Sequence, residues 1–175
     1  EIGIPGGIHT HNDTGVAVAN ALASVNSGAT QVQGTVNGYG ERVGNCNLTT
    51  VIPNLQLKMD RPVIEDVSRL THLAHFVDDL ANCSHNIRAP YVGATAFAHK
   101  GGMHVNAVQK VAHSFEHIEP KTVGNRQRIL VSELSGQSNV LMKAEELGLP
   151  VEKGSPEAMA ILQDCLLYTS DAADE

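Results

Sequence analysis

Three stretches of this chain carry residues whose types and spacing could do chemistry. In His9-Thr10-His11-Asn12-Asp13, two imidazoles stand at i and i+2 with a carboxylate close by. In a strand, both rings project from the same face. Paired neutral histidines at a strand end form the beginning of a divalent-metal site. The alternative is a turn in which Asp13 or Thr14 caps the following helix. The second stretch, Asn37-Gly38-Tyr39-Gly40-Glu41-Arg42-Val43-Gly44-Asn45, is a glycine-rich loop with an acid, a base and two carboxamides. Its glycines are spaced G-x-G-x-x-x-G, one residue too long for a dinucleotide fingerprint, and the Lys-Ser/Thr of a P-loop is missing. The alternative is a tight turn in which Glu41 and Arg42 pair at the surface and Asn45 caps the next helix. The third is His104, which follows Gly101-Gly102-Met103 and falls in the first turn of an expected helix. There the helix dipole disfavours the imidazolium and leaves the ring a proton acceptor. The alternative is a polar helix start without a chemical role.

The elements that must position these residues follow from the hydrophobic pattern. Residues 6–11 read as a strand. Residues 15–27 read as a helix with Val18, Ala21, Leu22 and Val25 at i, i+3, i+4 and i+7, stopped at Gly28. Residues 29–36 read as a second strand. Strand, helix and strand with short joints make a βαβ unit and a parallel sheet, whose sites lie at the carboxyl ends of the strands. A short helix at 48–52 should break or kink at Pro53. Residues 65–82 read as a helix with Val67, Leu70, Leu73 or Ala74, Val77 and Leu80 inward. His72, His75 and Asp79 lie along one side of it, as a solvated face. Ala89 to Gly93 is a loop, residues 128–134 are extended, and helices are expected over 139–147 and from Pro156 to about 164. The organisation is a parallel α/β piece to about residue 60 and a mainly helical appendage after it.

Composition narrows the classes. The 175 residues carry 12 Lys and Arg against 19 Asp and Glu, a net charge of -7. Nucleic acid is bound through clustered Lys and Arg, so this balance argues against it. No apolar run approaches the roughly 20 residues of a membrane span, and no signal peptide opens the chain. Cys46, Cys83 and Cys165 are odd in number and widely spaced, which suggests reduced thiols in a cytoplasmic protein. The last ten residues, 166–175, resemble a translated sequencing adapter and are set apart from the fold. The absence of an initiator Met suggests an internal piece of a longer protein.

Together, these residues resemble a known family. GIHTHNDTG at residues 7–15 and VQGTVNGYGERVGN at residues 32–45 are similar to the DRE-TIM metallolyase superfamily. Within it, the resemblance is to the condensing enzymes that make 2-isopropylmalate, homocitrate and citramalate. FAHKGGMH (97–104), FEHI (115–118), VGNR (123–126) and VSELSGQSN (131–139) are most similar to the citramalate-forming members.

The resemblance covers about residues 1–150. It implies the C-terminal part of a (β/α)8 barrel over residues 1–60 and helical linker subdomains over 61–150. Residues 151–165 would start the connection to a regulatory domain that lies beyond this chain. It also implies that an upstream Asp-Arg motif is missing, so that this piece alone would be inactive and poorly stable. His9, His11 and Asn45 match metal ligands for Mg, Mn or Zn. Glu41 matches an acid near the substrate, within the site loop of Asn37, Gly38 and Arg42. His104 matches a linker histidine that reaches the active site of the other subunit, which implies a homodimer. The implied reaction is a metal-assisted Claisen condensation of acetyl-CoA with a 2-oxo acid, pyruvate for the citramalate-forming branch. Carbon-carbon lyases of the same superfamily lack this linker.

Overall fold

The computed structural model describes residues 3–99, 116–129 and 137–171. It divides into two compact units, one of residues 1–96 with 121–125 and one of 97–120 with 126–175. The division thus falls near residue 96, beyond the change of texture at residue 60, because the helix of residues 70–80 packs with the first unit.

In the first unit, strand β1 (Gly7–His9) pairs in parallel with β2 (Gln31–Gln33), with Ile8 opposite Val32 and His9 opposite Gln33. Both strands are shorter than the pattern suggested. Beyond them, the backbone leaves the pair to make single bridges, His11 with Asn45 and Thr35 with Asn47. Helix α1 (Ala17–Asn26) connects the two strands. Ala17 and Ala21 are fully buried, and Val18, Leu22 and Val25 pack around them. Small residues at the contact let the helix lie close to the strands. Neither Asp13 nor Thr14 caps this helix. The Ala17 amide donates to Oδ1 of Asn12 at 3.2 Å, and Asp13 turns to Arg42 instead.

Helix α2 (Leu48–Lys58) runs through Pro53 and does not end there. Proline costs the helix one ladder hydrogen bond, that of the Thr49 carbonyl. The ring is fully buried with Val51, so apolar burial offsets that loss. The cap is Asn47, not Asn45: its Oδ1 accepts from the Thr49 amide at 2.9 Å and from the Thr49 hydroxyl at 2.8 Å.

Helix α3 (Leu70–Leu80) starts later than its pattern implied, because Oδ1 of Asp66 accepts from the Ser68 amide at 2.7 Å and holds the approach as a turn. Its buried positions are Leu70, Thr71, Ala74 and Asp78, while Leu73 and Leu80 face outward. The Thr71 hydroxyl donates to the Val123 carbonyl, and the Asn125 amide donates to the carbonyls of Tyr91 and Gly93. Residues 121–125 are thereby tied into this unit.

In the second unit, β3 (Ala98–His99) pairs in parallel with β4 (Arg128–Ile129). His99 and Glu116 form a buried contact at 3.1 Å, and Gln127 donates to the same carboxylate at 2.8 Å. Helices α4 (Gln137–Glu146) and α5 (Pro156–Asp171) pack through Val140, Ala144 and Ala158. Helix α5 continues past residue 164 into the stretch set apart as an adapter. No helix among the described residues is long and apolar enough to cross a membrane.

Replacing Asn47 with Ala leaves two donors of the first turn of α2 without their acceptor. The Asn47→Ala variant should lose about 1 kcal/mol of stability, read as an earlier urea midpoint.

Candidate metal centre

The parallel pairing of β1 sets the direction of His9, and the bridge to Asn45 sets that of His11. The two rings meet edge to face, with centroids 5.1 Å apart and planes at 71°. Their Nε2 atoms are 3.4 Å apart. Two nitrogens each about 2.1 Å from one ion are about 3.4 Å apart at a tetrahedral angle and about 3.0 Å apart at an octahedral one. The pair therefore already has the spacing of adjacent ligands.

Asn45 stands opposite His11 in the antiparallel bridge, where facing side chains share one side of the pair, with Cβ atoms about 4.5–5.5 Å apart. The bridge is flanked by hydrogen bonds from the Cys46 amide to the Thr10 carbonyl and from the Asn12 amide to the Gly44 carbonyl, both 2.9 Å. The Asn45 Nδ2 donates to the Tyr39 carbonyl at 3.0 Å, which fixes the carboxamide plane. Its Oδ1 is buried and has no hydrogen-bond partner, and neither has Nδ1 of His11. A buried polar atom left unpaired costs about 1–3 kcal/mol, so two at one site call for an explanation. A divalent cation fits the donor set. It would take Nε2 of both histidines and Oδ1 of Asn45, which would satisfy Oδ1; Nδ1 of His11 would carry the ring N–H and has no acceptor among the described residues. No group of three His, Cys, Asp or Glu side chains able to hold an ion occurs among the described residues.

The glycines of the loop serve this arrangement. A Cβ on Gly40 would strike Nδ2 of Asn45 and stand 2.8 Å from its Cγ. A Cβ on Gly44 would strike the Gly38 carbonyl. Both residues have positive φ, at 154° and 104°. The G-x-G-x-x-x-G spacing thus makes a cradle for an asparagine, in agreement with the absence of a phosphate fingerprint.

The remaining residues of the loop divide. The Glu41 side chain is 86% exposed, and its nearest charged neighbour is Arg42 at 4.0 Å. Arg42 does not pair primarily with Glu41: it grips Asp13 with two bonds, at 2.7 and 3.1 Å. That grip holds the Asp13 carboxyl below the usual aspartate range and ties the loop after β1 to the glycine-rich loop after β2. Asn37 turns its carboxamide nitrogen to helix α3. Its Nδ2 donates to the Ala74 carbonyl at 2.7 Å and to Asp78, both on α3. Gly38 acts through its backbone, accepting from the Asn45 amide at 3.0 Å. His104 lies outside the described residues. His72 is exposed, while His75 stacks against His85 with centroids 4.2 Å apart and His85 contacts Asp78 and Asp79. Cys46 is buried, and burial raises its thiol above the ordinary value, so it stays protonated and inert.

Sequence reasoning missed Asp78 and Tyr39. Asp78 accepts from the Tyr39 hydroxyl at 2.7 Å and is itself buried. The signal was its place in the stripe Thr71, Ala74, Asp78, whose i, i+3, i+7 spacing puts a carboxylate on the inward face.

Residues 2–77 match the HMGL-like family model, and residues 91–163 match the model described as homocitrate synthase post-HMGL domain-like. The two matched segments belong to these families, and the first of the two models implies a TIM-barrel fold. Among the particular relatives, an (R)-citramalate synthase of Synechocystis is 53% identical over 89% of this chain and 29% of its own length. An (R)-citramalate synthase of Geobacter sulfurreducens is 52% identical over 91% of this chain and 31% of its own. A probable 2-isopropylmalate synthase of Methanopyrus kandleri is 40% identical over 86% of this chain and 30% of its own. The chain spans about 30% of the length of these curated relatives.

Because a methyl group at position 40 would displace the Asn45 carboxamide, Gly40→Ala should weaken divalent-metal binding by about tenfold. Calorimetric titration of the full-length enzyme with Mn2+ would read the change, and an unchanged affinity would contradict the cradle.

Proposed function

We propose that the full-length enzyme carrying these residues condenses acetyl-CoA with pyruvate to give (R)-citramalate and CoA, feeding isoleucine synthesis. The observation that carries this reading is the pair of Nε2 atoms 3.4 Å apart beside the bare Oδ1 of Asn45, in a chain half identical to citramalate synthases. His9, His11 and Asn45 would hold Mg, Mn or Zn there, and the ion would supply a Lewis acid toward the keto oxygen of a 2-oxo acid; imidazole and carboxamide are uncharged donors when bound, so they would not cancel its charge.

The carboxylate of Glu41 is exposed on the same loop, where it would assist proton transfer or orient a catalytic group, a role that rests on the family resemblance. His104 takes a proton from the acetyl methyl group, a role that rests on the family resemblance. The methyl carbon then bonds to the keto carbon of pyruvate. Water adds to the thioester, and CoA leaves as the thiol. In a homodimer, His104 of one subunit would serve the site of the other. The reduced thiols Cys46 and Cys83 suit the cytoplasm.

The second reading, a 2-isopropylmalate or homocitrate synthase with the same chemistry, draws on relatives that are 40% and 37% identical. The match of residues 91–163 to the post-HMGL model favours a condensing enzyme over a lyase.

Offered pyruvate, 2-oxoisovalerate and 2-oxoglutarate with acetyl-CoA, the enzyme should favour pyruvate by roughly tenfold or more in kcat/KM, followed as CoA release. Preference for 2-oxoisovalerate would select the 2-isopropylmalate reading. His104→Ala should keep its metal and lose about 10²-fold or more in condensation rate. Unchanged turnover would remove His104 from the reaction.

A further inference from the structure

We infer that Asp78 and Tyr39 are positioning residues for the metal-binding carboxamide of Asn45, so that helix α3, outside the strand ends, sets the affinity of the centre. This rests on the metal reading of His9, His11 and Asn45.

The connection is continuous. Asp78 is 6% exposed on the inward face of α3. A carboxylate buried that far is costly unless hydrogen-bonded. Its Oδ1 accepts from the Tyr39 hydroxyl at 2.7 Å and from Nδ2 of Asn37, and its Oδ2 lies 3.3 Å from Nδ1 of His85. Hydrogen bonds to a charged acceptor are the stronger kind, so Tyr39 is held firmly by its ring. The contact raises the Tyr39 hydroxyl above its ordinary value, which keeps it a donor.

The other end of Tyr39 carries the consequence. Its main-chain carbonyl accepts from Nδ2 of Asn45 at 3.0 Å and also from the Thr35 hydroxyl. With Nδ2 occupied, Oδ1 is the atom left bare. The order is therefore Asp78 carboxylate, Tyr39 hydroxyl, Tyr39 carbonyl, Asn45 Nδ2, Asn45 Oδ1. Asn37, on the same carboxylate, holds a left-handed backbone with φ of 61°, which fixes the turn entering this loop. A cavity of about 260 Å³ is lined by Asn37, Tyr39, Asp78, His75 and His85, among others, but by none of the three metal-binding residues. Asp78 thus acts on the centre through Tyr39 and touches neither ion nor substrate.

The test is Mn2+ titration of the full-length enzyme, with free Mn2+ followed by electron paramagnetic resonance. Tyr39→Phe keeps the ring and removes one hydroxyl, so the fold should survive, and Asp78→Asn is isosteric. Each should weaken Mn2+ binding by about tenfold, the range for removing an outer partner of a metal ligand. In an Asn45→Ala background, Tyr39→Phe should cost nothing further, because the connection runs through Asn45. Unchanged affinity in Tyr39→Phe, or an equal loss in the Asn45→Ala background, would overturn the proposal. If Asn45→Ala itself binds Mn2+ as tightly as the parent, the metal reading fails first and takes the proposal with it.

Discussion

The single antiparallel bridge between His11 and Asn45 is the contact on which the rest of this site depends. Parallel pairing of β1 and β2 brings the loops that follow the two strands to the same edge, but it does not join them. The bridge does. It brings the carboxamide of the second loop beside the imidazoles of the first, and four backbone groups beside it hold the register. A slip of one residue would turn Asn45 to the other side and put Cys46 or Gly44 in its place. Neither offers a carboxamide oxygen. The glycines at 40 and 44 are what allow the loop to fold tightly enough for this bridge to form.

Around it, the side chains divide between chemistry and support. His9, His11 and Asn45 leave ring nitrogens and a buried carboxamide oxygen unspent on the rest of the fold, and Glu41 is exposed. Arg42, Asp13, Tyr39, Asn37 and Asp78 spend their polar atoms on one another. The Arg42–Asp13 pair is largely exposed, and such pairs contribute little to stability. Its value is geometric: two parallel bonds set the distance between the loops. Asp78 is the opposite case, a buried charge whose hydrogen bonds are obligatory.

Much of this was legible in the sequence, and the failures have a common cause. The i, i+2 spacing of His9 and His11 was sufficient to place both rings together, because strand periodicity is local. The parallel βαβ unit and the stop of α1 at Gly28 were equally readable. The caps were not. Asn12 and Asp13 are both good caps, as are Asn45 and Asn47, and the structure uses Asn12 and Asn47. Asp13 and Asn45 are withdrawn by partners distant in sequence, Arg42 for one and the His11 bridge for the other. Local rules cannot see that competition. The same holds for Pro53, whose ring is stabilised by a core assembled from α1 and α2, and for Asp78, whose partners lie some 40 residues earlier. The reading of Asn45 as a metal ligand rests on family resemblance, since spacing alone allowed a helix cap.

The most direct measurement is anomalous diffraction from crystals of the full-length enzyme loaded with Mn2+. The account predicts one strong peak within about 2.3 Å of Nε2 of His9, Nε2 of His11 and Oδ1 of Asn45. A peak bound elsewhere, or one bound by the histidines with the Asn45 carboxamide turned away, would contradict it.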